Sequence, residues 1–164
     1  MLDQATKWVV GEQLGPRAPQ HRWGIIEPVL AFEYGENTGA AFGILRGQGV
    51  LLTVLAALVL AGLLAYYATV HEPSTVLTAS IGLLLGGAVG NLVDRVRLGY
   101  VVDFVEVGVW PNFNLADSAI SVGVVLLAWH LMVEPSGSAR PGDDQDLSTN
   151  VEPRPSAAPP AAER

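Results

Sequence analysis

Four ionisable residues, Asp94, Arg95, Asp103 and Asp117, and two amides, Asn91 and Asn114, crowd into the stretch from Gly86 to Ile120, between apolar runs that are almost free of charge. On insertion scales an ionised carboxylate at mid-bilayer costs roughly 2.5–3.5 kcal/mol, so Asp103 and Asp117 together would cost about 5–7 kcal/mol at that depth and less near the interface. A chemical role can offset such a cost. Two carboxylates that share one water split their titration, so that one stays ionised while the other keeps a proton. The first can act as general base on water and the second can polarise a carbonyl as general acid, which is the arrangement of aspartic proteases. That chemistry requires no nucleophile, metal or cofactor. None is expected here: cysteine is absent, and His21, His71 and His130 lie far apart without HExxH-like spacing.

Pattern alone leaves other readings for most of these residues. Asp94 and Arg95 at a helix end read as interfacial charges, Asn114 as a helix N-cap, and Asp103 as a solvated loop acid. Asp117 resists this treatment, because it lies one turn into an apolar helix with no basic residue near it in sequence. Asp103 and Asp117 are fourteen positions apart and flank a short non-helical excursion, through which the fold can bring them together.

The surrounding composition is that of a membrane protein. The 164 residues are 50% hydrophobic and 15% charged, where a soluble domain carries about 25% charge; the mean hydropathy is +0.37. The net charge of −7 argues against nucleic acid as a partner.

Residues 49–70 and 73–93 are uncharged apart from His71 and Glu72 in the connector between them, and each is long enough to span a bilayer. The second span is expected to continue to residue 96, and the HEPST connector makes the two antiparallel. Gly82, Gly86 and Gly90 recur every four residues and suggest a face for close helix packing. Gly87, Asn91 and Arg95 share a face by the same spacing. Residues 97–112 break the helix into an extended loop, and 113–133 form the third span, with Asn114, Asp117 and Ser121 on one face. Residues 15–48 mix a loop (GPRAPQHRWG), a β-type run limited by Pro28 to an edge or broken strand, and a glycine-rich segment. Residues 135–164, rich in Pro, Ser, Ala and acids, read as a disordered tail. The positively charged residues Lys7, Arg17, Arg22, Arg46, Arg95 and Arg97 gather on the side of 15–48 and 94–112, which the positive-inside rule would make cytoplasmic.

Four blocks carry a family resemblance over about 130 residues: Asp3-Gln4-Ala5-Thr6-Lys7, Asn37-Thr38-Gly39-Ala40-Ala41-Phe42-Gly43, Gly86 to Arg95 continuing through Val102-Asp103-Phe104, and Phe113-Asn114-Leu115-Ala116-Asp117. In this order the chain resembles the lipoprotein signal peptidases, also called type II signal peptidases, of bacteria. The resemblance implies an all-α polytopic membrane protein: a four-helix transmembrane bundle with a small extracytoplasmic β-containing subdomain. It implies an aspartic endopeptidase of the bacterial inner membrane, acting as a monomer without cofactors, that cuts diacylglyceryl-modified prolipoproteins just before the lipidated cysteine. Asp103 and Asp117 fall on the family's catalytic pair. Asn91, Asp94, Arg95 and Asn114 would support the carboxylates and bind substrate, Asn37 would reach in from the extracytoplasmic cover formed by 15–48, and Asp3 would brace the first helix. The tail would be cytoplasmic. One departure stands out: the family's Asp-Gln-x-x-Lys block ends a spanning helix, whereas residues 1–14 would supply only the C-terminal end of one, the rest being missing.

Two other classes compete. A small transporter or ion-pathway subunit could use Asp94, Arg95, Asp103 and Asp117 as a charge relay, but no inverted repeat supports it. A presenilin-like protease would need a Gly-x-Gly-Asp block, and Asp103 follows Val-Val instead.

Overall fold

The computed structural model describes residues 1–39, 45 and 47–133. The expected disordered tail and residues 40–43 of the second motif block lie outside the described residues. The chain runs α1 (Leu2–Leu14), β1 (Arg22–Ile26), β2 (Leu30–Asn37), α2 (Gly49–Thr69), α3 (Thr75–Leu98), β3 (Val101–Val107), β4 (Trp110–Phe113) and α4 (Leu115–Val133). Among the described residues three helices, α2, α3 and α4, are long and apolar enough to cross a membrane.

Helix α3 is the hub. Ser74 caps its start, accepting a hydrogen bond from Leu77 N at 3.2 Å, and Ser74 Oγ lies 3.2 Å from His130 Nδ1 near the end of α4. Its other end stops at Gly99, whose φ of +83° is the left-handed conformation that ends helices at glycine. Leu77, Ile81 and Leu84 of α3 are buried against Leu63 and Tyr67 of α2 and Ile120 and Leu127 of α4. The remaining faces of α2 and α4 are apolar and exposed, as lipid-facing surfaces are.

The glycine stripe packs differently from the expectation. A Cβ at Gly82 or Gly86 would meet nothing within 4 Å. At Gly87 it would fall 2.5 Å from Ala116 O and 2.7 Å from Ile120 Cγ1, and at Gly90 it would fall 2.6 Å from Asp3 Oδ2. On α4, Gly123 sits equally close to Ser80 and Leu84. Close approach of α3 to α4 therefore uses Gly87, Gly90 and Gly123. Of the four-residue repeat only Gly90 is packed, against Asp3 of α1 and Ala116 of α4, while Gly82 and Gly86 face away, because α4 crosses the face that carries Gly87 and Asn91.

Of the extended loop expected at 97–112, residues 97 and 98 continue α3 and the segment from Val101 on is a β-hairpin. It completes a four-stranded antiparallel sheet in the order β1-β2-β3-β4. The β-branched run Val101–Val107 pairs with β2, with Gly35 opposite Asp103 and Asn37 opposite Val101. The all-α expectation therefore holds for the spans only. The sheet takes strands from both the 15–48 and the 97–112 segments, since β3 alone would leave a row of buried backbone groups unpaired. The β-type run breaks at Pro28, which lies in the turn between β1 and β2. The assigned loop GPRAPQHRWG gives up Arg22–Gly24 to β1, where Arg22 ion-pairs with Glu27 at 2.5 Å and Glu106 at 2.7 Å.

Candidate active site

Asp103 points from the middle of β3 into the end of the bundle, 4% exposed, rather than into solvent as a loop acid would. Both of its oxygens are held. Oδ2 accepts from Asn37 Nδ2 at 2.8 Å, and Oδ1 accepts from Asn114 Nδ2 at 2.7 Å. Burial pushes the carboxyl up to about 6; the hydrogen bonds from Asn37 and Asn114 oppose the shift, and the nearby Asp117 charge adds to it.

Asp117 lies in the first turn of α4, half-buried, and both its oxygens are held as well. Oδ1 accepts from Asn91 Nδ2 at 2.8 Å, and Oδ2 accepts from the backbone N–H of Asn114 at 3.2 Å. Asn114 Oδ1 in turn accepts from Asp117 N at 3.0 Å. Asn114 thus caps α4, and the same fully buried side chain spans to Asp103. The cap and the supporting residue, alternatives in the sequence, are one device. Asp117 also has a basic neighbour that is distant in sequence: Arg95 lines the same cleft, and the two charges interact.

That cleft has a volume of about 870 Å³ and lies between the end of β2, the β3–β4 hairpin, α3 and α4. Asn37, Asn91, Arg95, Asp103 and Asp117 all line it. Arg95 Nη2 donates to Gly39 O at 3.3 Å, tying α3 to the chain just beyond β2.

Asp94 and Asp3 stand behind the cleft. Asp94 is 3% exposed, not an interfacial charge. Its carboxylate takes Lys7 Nζ at 2.7 Å, Gln4 Nε2 at 2.7 Å and Val102 N at 3.2 Å. Asp3 pairs with Lys7 at 3.0 Å and accepts from Ala116 N at 2.9 Å, joining α1 to the start of α4. Sequence reasoning assigned no role to Lys7 or Gln4. The signal was present in the i, i+4 spacing of Asp3 and Lys7, which places both on one helix face. Among the described residues no buried side-chain nitrogen or oxygen lacks a hydrogen-bond partner, as a preorganised polar site requires.

Apolar spans that enclose a carboxylate-lined cleft, roofed by a small sheet and braced from behind by a satisfied polar network, define a multi-pass membrane enzyme built around aspartates. Comparison with known proteins gives the family. Residues 1–133 match the family described as Signal peptidase (SPase) II. The chain is 44% identical over 131 residues to the lipoprotein signal peptidase of Halothermothrix orenii, covering 80% of this chain and 88% of that protein. It is 41% identical over 145 residues to that of Symbiobacterium thermophilum, covering 85% and 93%. A bacterial membrane enzyme solved by the in meso method at 2.3 Å resolution superposes with a TM-score of 0.71 at 30% identity, covering 80% of each chain. A second, at 1.9 Å, gives 0.69 at 29%. The chain belongs to the signal peptidase II family, and its activity is that of an aspartic-type lipoprotein signal peptidase.

Proposed function

We propose that Asp103 and Asp117 are the catalytic pair of an intramembrane endopeptidase that releases signal peptides from diacylglyceryl-modified prolipoproteins, cutting just before the lipidated cysteine. The observation that carries this reading is the bridging of both carboxylates by Asn114 at the edge of one cleft. A water held between them loses a proton to the ionised carboxylate as its oxygen attacks the scissile carbonyl carbon. The protonated carboxyl gives its proton to the carbonyl oxygen, forming a gem-diol. Collapse breaks the C–N bond: one carboxyl protonates the departing amine, and the other accepts a proton from the gem-diol. The products are a signal peptide with a free carboxylate and a lipoprotein with a free α-amino group. Burial favours the shared proton on Asp103.

The remaining groups divide the other tasks. The end of β2 and the β3–β4 hairpin clamp the peptide in extended form over the cleft. Gly35 pairs opposite Asp103 and lines the cleft, so the strand edge there presents backbone rather than a side chain to the substrate. Arg95 and Asn37 bind peptide carbonyls, and the lipid chains stay in the bilayer between helices.

The site faces the extracytoplasmic side of a bacterial plasma membrane. The charge bias that argued for the opposite orientation weakens, because Lys7 and Arg22 are ion-paired and Arg95 lies in the cleft. The protein acts as a monomer.

Gel-shift processing of a lipidated prolipoprotein by wild type, Asp103→Asn and Asp117→Asn tests the pair. Both variants are expected to be inactive with their folds retained, and globomycin, an inhibitor of the family, to block the wild type. Full cleavage by either variant would sink the assignment.

A further inference from the structure

Lys7 is buried on α1, with Nζ 2.7 Å from Asp94 and 3.0 Å from Asp3. As a structural staple it would be complete with these two partners. It makes a third contact, donating to Asn91 Oδ1 at 2.8 Å. An amide can turn over by 180° unless its neighbours distinguish nitrogen from oxygen. Here Oδ1 of Asn91 accepts from Lys7 Nζ and from Asn114 Nδ2 (3.1 Å), while Nδ2 donates to Asp117 Oδ1.

We propose that Lys7 is a positioning residue: its ammonium, which carries no lone pair, locks the Asn91 amide so that Nδ2 faces Asp117 in both protonation states of the aspartate pair. The proposal rests on the reading of Asp103 and Asp117 as that pair. The lock matters at one moment of the cycle. When Asp117 holds a proton, its hydroxyl becomes a donor, and a free Asn91 could turn its oxygen to accept it. The acid form would then be held in an unproductive hydrogen bond. Asn114 opposes that turn with one neutral contact; Lys7 adds a charge-assisted one, which is about twice as strong. The charges facing these groups are Asp3 from α1 and Asp94 from α3 around Lys7, and Arg95 from α3 and Asp103 from β3 around Asp117; the Lys7 charge also acts on Asp103, and Lys7→Arg keeps that charge.

The test is the pH profile of kcat in the full-length, detergent-solubilised enzyme acting on a lipidated prolipoprotein. Lys7→Met combined with Asp94→Asn removes the lock and leaves the net charge of the Lys7–Asp3–Asp94 cluster unchanged. In this double variant kcat is expected to fall about 10- to 100-fold, as for other outer-shell partners, with KM within about twofold and the acid limb moved up by about one pH unit. Asp94→Asn alone keeps the Lys7–Asn91 contact and is expected to keep the wild-type acid limb. Lys7→Arg, which retains a donor-only cation, is expected to keep it too. A wild-type acid limb in the double variant overturns the proposal; so does a shifted limb in Lys7→Arg, whether or not the double variant folds. Asp103→Asn and Asp117→Asn run alongside: activity in either overturns the catalytic pair, whereas a contrary Lys7 result with both inactive overturns the lock alone.

Discussion

Asn114 does two jobs that substitution can separate. Its Oδ1 caps α4 through Asp117 N at 3.0 Å, and its Nδ2 reaches Asp103 Oδ1 at 2.7 Å, Asn91 Oδ1 at 3.1 Å and Val102 O at 3.3 Å. Serine is also a good N-cap, so Asn114→Ser keeps the first job and loses the second, while Asn114→Ala loses both. Asp103 becomes charged as it gives its proton to the carbonyl oxygen, and a hydrogen bond to a charged group contributes about 1.5–3 kcal/mol. If the bond to Asp103 is kept through the transition state, its loss lowers kcat/KM roughly 10- to 150-fold. The cap contributes about 1 kcal/mol to stability and nothing directly to the chemistry. The serine and alanine variants should therefore lose similar kcat/KM, while the alanine variant is less stable than the serine variant by about 1 kcal/mol. Initial-rate processing of a lipidated prolipoprotein at saturating and limiting substrate, paired with thermal unfolding in the same detergent, reads both quantities. Wild-type kcat/KM in Asn114→Ser would refute the role assigned to Nδ2. Equal stability of the two variants would refute the cap.

The same geometry sets two further outcomes. The Asp103 carboxyl lies at about 6 in the fold against an ordinary 3.8, so the folded state binds that proton more tightly than the unfolded state. Stability should then fall as pH rises from about 4 to above 6, by at most roughly 3 kcal/mol. Asp103→Asn should lack this component, and parallel melting-temperature profiles for the two proteins between pH 4 and 8 would contradict it. At the helix interface, Gly87→Ala should destabilise by about 1–3 kcal/mol through overpacking against Ala116 and Ile120. Gly86→Ala meets open space and should be neutral or slightly stabilising; the reverse order in thermal unfolding would show that α3 packs on α4 through another face.

The spans and the polar residues that the fold gathers at the cleft were legible in the sequence, because both are local signals. Charge-free runs of about twenty residues can hardly be anything but membrane helices, and polar groups beside such runs stand out against a nearly uncharged background. The missing information was of the kind that only the fold supplies. Residues 97–112 carried β-branched side chains, but the partner strand, β2, lies more than sixty positions earlier, and no local pattern names it. The glycines announced close packing without saying on which face, since Gly86 and Gly87 lie about 100° apart around the helix and only the path of α4 chooses between them. Asp94 read as an interfacial charge because its cation, Lys7, is on another helix.

The β3–β4 hairpin explains how two acids fourteen positions apart become one site. β3 must continue past Asp103 to pair with β2, which carries the chain away from the bundle. The turn at Gly108, with φ of +53°, sends it back along β4. The return ends at Asn114, where α4 needs a cap. A cap residue sits directly before the first turn of its helix, so a second acid placed three residues on, at Asp117, is brought beside the capping side chain by helix geometry alone. The hairpin then has only to return Asn114 to the level of Asp103, and the antiparallel pairing of Val105 with Phe113 sets that level. The register of β3 on β4 therefore positions the site as strictly as any side chain. Inserting one residue into the turn at Gly108 is expected to abolish processing while leaving the three spans folded, readable as loss of prolipoprotein cleavage with unchanged helical circular dichroism. Retained cleavage would mean that the two aspartates are held together by something other than this hairpin.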